Sequence, residues 1–497
     1  MNLASIIDAH PDDKVAIISR GQPITYAELR DQVSRLRGGL VGEGVQPGDR
    51  VAIVCANNHF FVVSYLAVLG VGAVAVPMNP LSPTPEIERE LCVVRPRVAI
   101  VGPAGRRSFA DLDRGAVEGL ECVVGCGSGF DDALLFEHLV TAVPVAMVDR
   151  DPDDLAALIF TSGTAGLPKA AMLTHHNLEV NHRQMQQASD RQPQPDDVVL
   201  AVVPLFHVFG LNSVLGMALR NGSTLVLAER FDPAAALETI EQRKVTSMAG
   251  PPVMWSALAS LPDASPEAFV SLRLPVSGAA KLSRFVIDLV RDRLGLELTQ
   301  GYGLTEASPA VTVAGGQGAP TTSIGRPVPG LEVRLVDRDG SDVLIGDDGE
   351  LWVRGPNVFL GYWEEPEATA AALDDDGWLH TGDIAVVDDD GFLFLVDRAK
   401  DLIIVSGFNV YPAEVESVLV RHPAVADAAV IGTPNPHTGE AVRAFVVLSG
   451  GTNADEDDII QFCASQVAGY KCPVKVSFVD RIPRNDAGKI LYRELSP

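Results

Sequence analysis

The chain has 497 residues, 47% hydrophobic and 21% charged. That is a globular balance in a chain too long for one core, so two or three domains are expected. Its 39 Lys and Arg against 65 Asp and Glu leave a net charge of −26, which weighs against general nucleic-acid binding and against electrostatic attachment to anionic lipid.

The N-terminal stretch lacks a basic run and acquires acids early, so no signal peptide is expected. The most apolar stretch, residues 60–76, is broken by Gly70 and Gly72 and is short for a membrane span. Cys55, Cys92, Cys122, Cys126, Cys463 and Cys472 are scattered. Cys122 and Cys126 have no second pair or histidine nearby, so ordinary thiols in a reducing cytoplasm fit best.

From Tyr26 to about Asp149 short apolar runs alternate with helical patterns. Residues 51–55, 73–76 and 98–101 read as strands and 60–69 as a helix. Continuous apolar strands alternating with helices predict a parallel sheet covered on both faces. Next come the apolar residues Ala157 to Phe160, which end a buried strand, and then Thr161, Ser162, Gly163, Thr164, Gly166, Pro168 and Lys169. Such a loop exposes backbone N–H groups and hydroxyls to a phosphate chain, with a lysine for the remaining charge. It is not a Walker A loop, because Pro168 precedes the lysine and Ala170 follows it. The alternative is a plain surface turn. A helix is predicted to start near Thr174.

Strand-like runs continue at 198–203, 223–227, 245–248, 272–277 and 296–300. The helices between them include one from Pro233, capped by Asp232, and others at 251–261 and 282–294. Two consecutive βα series predict two related sheet layers. From Ser323 the texture changes to Asp-Gly turns between short strands at 332–336, 350–353 and 392–396, the chemistry of a small antiparallel barrel or sheet. Beyond Asp401 a compact α+β unit follows. It has helices at 412–420 and 455–467 and strands at 425–431, 442–447 and 474–478. Lys471, Lys475, Arg481, Arg484, Lys489 and Arg493 gather at its end, which reads most simply as a solvated basic face.

Further polar clusters sit at strand ends or turns. The run 300–306 follows a strand, with glycines that admit close approach, the Thr305 hydroxyl, and Glu306 as a hard oxygen donor for Mg²⁺. Thr381, Gly382 and Asp383 place a carboxylate beside a glycine turn, suited to a ribose diol. Residues 483–489 place Lys489 on a glycine turn near the end. Each is weak alone. In this order, the segments 161–169, 301–306, 349–355, 381–383, 397–401 and 485–489 resemble the adenylate-forming superfamily, in its acyl-CoA synthetase branch. The resemblance runs from about Tyr26 to Arg493.

The resemblance implies an α/β fold. A large N-terminal domain of two stacked α/β sheet layers plus a small β-barrel (1–398) would carry a small mobile α+β C-terminal domain (399–497), hinged at Lys400. It implies ATP, Mg²⁺ and coenzyme A: a carboxylate attacks the α-phosphate of ATP, and a thiol then displaces AMP. Thr161, Ser162, Gly163, Thr164, Gly166 and Lys169 would hold the β- and γ-phosphates, although Ala165 stands where many members carry threonine. Gly278, Ala279, Ala280, Gly301, Tyr302 and Gly303 would flank adenine. Thr305 would touch the α-phosphate, Glu306 the Mg²⁺, and Asp383 and Arg398 the ribose. Lys489 would bridge the substrate carboxylate and the α-phosphate. Ser406, Gly407 and Phe408 would line the path of CoA.

His207, in the segment 204–210, resembles the acyl-pocket motif of CoA ligases; a packed histidine at a helix start is the alternative. The aspartate that amino-acid-activating relatives carry near this point is absent. Phe209, Met248, Gly250 and Val253 complete a small, apolar candidate pocket that favours an apolar acid. Trp255 could shorten it or belong to the core. The sequence thus predicts an ATP-dependent ligase joining a fatty or related apolar acid to CoA. The alternative is an acyl-AMP ligase that loads an acyl carrier protein. A second class, a nucleotide-binding protein without catalysis, would lack Glu306 or Lys489, and both are present.

Overall fold

The computed structural model describes residues 2–130, 133–162, 168–189, 191, 193–280, 282–315, 318–337, 339–398, 403–450, 452–483, 490 and 492–495. Gly163, Thr164, Gly166, Lys400 and Lys489 lie outside them, so the hinge position and most of the glycine-rich loop do too.

Two large sheets form the N-terminal part. A seven-stranded sheet is built on the parallel strands Arg50–Val54, Val74–Pro77, Val98–Val101 and Leu155–Ser162. After the glycine-rich loop the chain returns antiparallel as Pro168–Thr174, a strand that the loop-then-helix reading omits. Thr174 then caps the helix His175–Ala188 reciprocally with Asn177.

The nine-stranded second sheet has the parallel core Val198–Ala201, Thr224–Leu227, Ser247–Gly250, Leu274–Ser277 and Thr299–Gly303. It also recruits the N-terminal hairpin Val15–Ser19 and Gln22–Thr25, with Ile17 registered on Leu225. Between the sheets lies the helix His59–Val71, buried at every residue from Phe60 to Val71. A helix apolar on all sides is stable only when surrounded, and one continuous cluster joins it to strands of both sheets.

Glu332–Val336, Asp348–Arg354, Leu379–Val387 and Leu393–Arg398 pair antiparallel in chain order. Where a small barrel is expected, the described strands form this four-stranded sheet, tied by the Gly325–Leu393 bridge to the segment before it. The C-terminal unit is a five-stranded sheet. Its long hairpin, Val425–Asn435 with Gly439–Leu448, packs against helices Pro412–Leu419 and Glu456–Ala464. No helix among the described residues is long and apolar enough to cross a membrane.

Lys471 is not part of a solvated basic face. It is buried against the helix Thr84–Val94 of the N-terminal part, where its ammonium meets Glu86 and lies 2.7 Å from Glu414. Glu86 also accepts the Ala468 N–H at 2.7 Å.

Candidate active site

A cavity of about 990 Å³ opens at the C-terminal ends of the parallel strands and continues along one face of the nine-stranded sheet. Ligand sites in α/β folds form at such strand ends. Its walls combine segments more than a hundred residues apart in sequence.

Residues 300–306, which line this cavity, do not simply follow a strand. Gly301, Tyr302 and Gly303 lie on the strand Thr299–Gly303 itself, and Thr305 and Glu306 occupy the single turn after it. A Cβ at Gly303 would run into the Pro309 carbonyl, so the closely returning strand demands glycine there. The Tyr302 hydroxyl donates to Asp383 at 2.6 Å. Thr381, Gly382 and Asp383 likewise sit within a strand, with Gly382 at φ +73°, and not at a free turn. Asp383 is registered directly opposite Arg398. Two motifs that are weak in isolation thus meet at one tyrosine–aspartate contact.

Lys169 stands across the ladder from Thr161 on the strand leaving the loop. Its ammonium lies 5.3 Å from the centroid of the Tyr362 ring, and the Tyr362 hydroxyl donates to Glu306 at 2.7 Å. Sequence reasoning missed Tyr362. The segment carrying it is held by backbone bonds: Phe359 N–H to the Glu306 carbonyl, and Trp363 N–H to the Ala170 carbonyl. Asn177, beyond its capping role, donates to the carbonyls of Pro356 and Val358. An apolar segment flanked by glycines at 355 and 361 was the only local signal. Burial, with the Glu306 carboxylate beside it, holds the Tyr362 phenol well above its ordinary pKa, so it remains a donor.

Gly278, Ala279 and Ala280 line the cavity where the strand Leu274–Ser277 ends, with Ala279 at φ +63°. Beneath them the Ser277 Oγ and Gln300 Oε1 are buried without a partner among the described residues. Such polar atoms around a cleft suit a hydrogen-bonding ligand.

His207 and Phe209 line the next part. The His207 Nδ1 accepts the Phe209 N–H at 3.3 Å, and burial pushes the imidazole down to about 4, so the ring is neutral at physiological pH. Met248, Gly250 and Val253 are corrected. On the strand Ser247–Gly250, Ser247 and Ala249 face the cavity, so Met248 faces the opposite side and packs in a core that includes Trp255. Gly250 backs onto Met254, and Val253 is not among the lining residues. Trp255 is core, with its indole N–H donated to the Val276 carbonyl at 3.1 Å.

The C-terminal unit closes one wall. Gly407, at φ +88°, lies against Pro251 and Ala279, where an added Cβ would come within 2.9 Å of the proline Cβ. Phe408 stacks on Tyr470 at 4.4 Å, lies parallel to Phe206 at 6.3 Å and meets the His207 ring edge-on at 6.5 Å. Ser406 holds the strained turn before Gly407 at φ +53° and donates its N–H to Thr438. Among the described residues no group of three or more His, Cys, Asp or Glu could hold a metal by itself.

Residues 4–363 match the AMP-binding enzyme family, and residues 414–489 match the AMP-binding enzyme C-terminal domain. The chain belongs to the AMP-binding enzyme family. It falls in the acyl-CoA synthetase branch of adenylate-forming enzymes, whose members are AMP-forming acid–thiol ligases. A feruloyl-CoA synthase of an Amycolatopsis species is 39% identical over 482 residues, covering 97% of this chain and 95% of the relative. The 3-[(3aS,4S,7aS)-7a-methyl-1,5-dioxo-octahydro-1H-inden-4-yl]propanoyl:CoA ligase of Mycobacterium tuberculosis is 39% identical over 504 residues, covering 97% and 95%. Among solved structures, the amide bond synthetase McbA of Marinactinospora thermotolerans superposes with a TM-score of 0.90 at 32% identity, covering 100% of this chain and 99% of that one.

Proposed function

We propose that this AMP-binding enzyme is an ATP-dependent ligase that joins a fatty or related apolar carboxylic acid to coenzyme A through an acyl-adenylate. The observation that carries this reading is one cavity shared by three sets of groups. The Tyr302–Asp383 pair, apolar residues such as Val214, Met217 and Val276, and Gly407 and Phe408 of the C-terminal unit all line it. In this reading Tyr302 flanks adenine, and Asp383 with Arg398 holds the ribose. Lys169 meets the terminal phosphates, and Thr305 the α-phosphate. Neither half-reaction needs a protein nucleophile. Positioning and charge neutralisation supply the rate, with Lys489 bringing positive charge to the carboxylate and α-phosphate. The two units, 1–398 and 399–497, would pivot at Lys400 between the half-reactions.

Magnesium fits the donor set. It is commonly held by one or two carboxylates together with substrate phosphates, and Glu306 presents one carboxylate beside the turn that carries Thr305. When bound there it would neutralise phosphate charge. Glu306 would hold it, and Tyr362 would orient Glu306.

The relatives' names supply two non-fatty acids, one aromatic and one a fused-ring diketone, so the apolar class includes ring acids. A second reading, acyl transfer to an amine, is favoured by the likeness to the amide bond synthetase. Transfer to a carrier protein is a third arm of the same test. Pyrophosphate and AMP release are measured over a panel of fatty, aryl and fused-ring acids, with CoA, an amine, a carrier protein, or no acceptor. Acid-dependent pyrophosphate with AMP release accelerated by CoA supports the ligase. Acceleration by the amine or the carrier instead of CoA replaces the acceptor, and silence across the panel removes the reading.

A further inference from the structure

The helix His175–Ala188 carries amides where a packed helix ordinarily carries apolar side chains. Asn177, Asn181 and Gln184 stand at i, i+4 and i+7, on one face, and all three are buried. The helix starts where the strand Pro168–Thr174, which carries Lys169, ends. Its amide face reaches two further segments of the site: the turn that carries Thr305 and Glu306, and the segment that carries Tyr362.

Asn181 grips Ala310 by both main-chain groups. Its Nδ2 donates to the Ala310 carbonyl at 2.9 Å, and its Oδ1 accepts the Ala310 N–H at 3.1 Å. The Asn181 Nδ2 also donates to the Gln184 Oε1 at 3.1 Å, and the Gln184 Nε2 donates to the Asn357 Oδ1 at 3.2 Å. Asn357, itself buried, donates to the carbonyls of Ala307 at 2.8 Å and Ala310 at 3.2 Å. From another element, Asn212 donates to the Ser308 carbonyl at 2.6 Å. Ser308 sits at φ +69°, a left-handed conformation that a residue other than glycine keeps only where its surroundings impose it. Three carbonyls just after Glu306 are thus held by side chains from three separate segments. Asn357 lies five residues before Tyr362, and Asn177 holds that same segment at Pro356 and Val358.

We propose that Asn181, Gln184 and Asn357 are positioning residues for the adenylation step: they hold the Glu306 turn and the Tyr362 segment in one register, so that the Glu306 carboxylate meets the Tyr362 hydroxyl and faces the place of Mg²⁺. This deepens the ligase reading and rests on its assignment of Glu306. Glu306 and Tyr362 are far apart in sequence, yet their contact is 2.7 Å, which small displacements of either segment would break. Apolar side chains of equal size would fill the same space at no cost in buried polarity. What the amides add is direction, because each link that is lost leaves its neighbours buried and unpaired. Partners that orient a metal ligand commonly change metal affinity about 10–100-fold when removed.

The test uses the full chain. Gln184→Met breaks the links to Asn181 and Asn357 at similar volume, and Asn357→Leu frees the carbonyls of Ala307 and Ala310. Gln186→Met is the control: it removes a 2.9 Å bond to Asn221 from the same helix without touching the turn. Mn²⁺ is titrated by electron paramagnetic resonance in the presence of α,β-methylene ATP, with circular dichroism to confirm folding. Acid-dependent pyrophosphate release and transfer from preformed acyl-adenylate to CoA are measured beside it. The Mn²⁺ dissociation constant should rise roughly tenfold in Gln184→Met and further in Asn357→Leu, with adenylation slowed in parallel, partly restored by excess Mg²⁺, and transfer changed by less than about twofold. Gln186→Met should match the wild type. Should Asn357→Leu fail to fold, Gln184→Met decides. A folded Gln184→Met with wild-type Mn²⁺ affinity, or with equal losses in the two half-reactions, overturns the positioning role and leaves the ligase reading standing. A wild type that holds no Mn²⁺ with the nucleotide overturns the assignment of Glu306 and this role with it. Absence of pyrophosphate with every acid tested overturns the ligase reading, and the Mn²⁺ comparison still decides the positioning role.

Discussion

Replacing Lys471 with methionine removes the buried ammonium from a group of three buried carboxylates. The lysine side chain is 8% exposed, and those of its partners Glu86 and Glu414 are 5% and 8% exposed. Glu90, also buried, adds a third acid, and Arg89 stands on the same helix. Burial alone would lower the Lys471 ammonium, but Tyr470, Glu86 and Glu414 hold it well above its ordinary range. Removing one partner of a buried pair costs about 3–5 kcal/mol, because the remaining charge is stranded. Here Glu86 belongs to the N-terminal part and Glu414 to the C-terminal unit, so the loss falls on their docking and not on either core. At tenfold per ~1.4 kcal/mol, docking should weaken at least a hundredfold. The assay is single-turnover transfer from preformed acyl-adenylate to CoA, the step for which the proposed function uses Gly407 and Phe408. It is set beside acid-dependent pyrophosphate release, with circular dichroism to confirm folding. Lys471→Met should depress transfer by two orders of magnitude or more, and release far less. A folded variant with normal transfer would refute the argument.

The same cluster makes docking sensitive to protons. Burial first, then Glu86, push the Glu90 carboxyl up to about 8; Lys471 and Arg89 oppose this, and Glu414 adds to it. Its folded pKa is raised, so its favourable contribution is complete below the ordinary value of 4.5 and is lost as pH rises through about 8. Transfer should therefore decline over that window, and Glu90→Gln should flatten the decline; an identical pH–rate profile in the variant would sink the assignment. Gly407→Leu forces a side chain into a left-handed position beside Pro251. It should lower thioester formation at least tenfold while acid-dependent pyrophosphate release falls less, as single-turnover measurements of the two half-reactions would reveal. Tyr362→Phe removes the hydroxyl that orients Glu306, a loss of about 1–2 kcal/mol. Adenylation should slow roughly tenfold and require more Mg²⁺, whereas an unchanged Mg²⁺ titration would assign Tyr362 to packing alone.

Much of the site was legible because its chemistry is local. The run 300–306 carries its glycines, hydroxyl and carboxylate within seven residues, and Thr381 to Asp383 within three. What escaped depends on the third dimension. A four-residue strand such as Ser247–Gly250 has no periodicity long enough to say which alternate residues face a ligand, so Met248 could be assigned to either side. Lys471 looks like any other cation near a basic terminus, and only the approach of Glu86, 385 residues away, makes it a buried ion. Tyr362 lies in a segment with no polar motif, placed by main-chain bonds to the strand Pro168–Thr174 and to the turn of Glu306. The N-terminal hairpin was missed for the same reason. The sequence reading assigns no strand before Tyr26, and nothing near residues 15–25 records that they join the second sheet.

The cavity owes one wall to Gly407 and Phe408, and those residues belong to a different folding unit from Gly278 and Tyr302. It is therefore a compartment with a removable side, whole only while the two units are seated together. A compound spanning Phe206 and Phe408 would act as a clamp as well as a plug, and its departure would wait on the parting of the units. Its residence time would then respond to changes at Lys471, whose ion pairs join the two units.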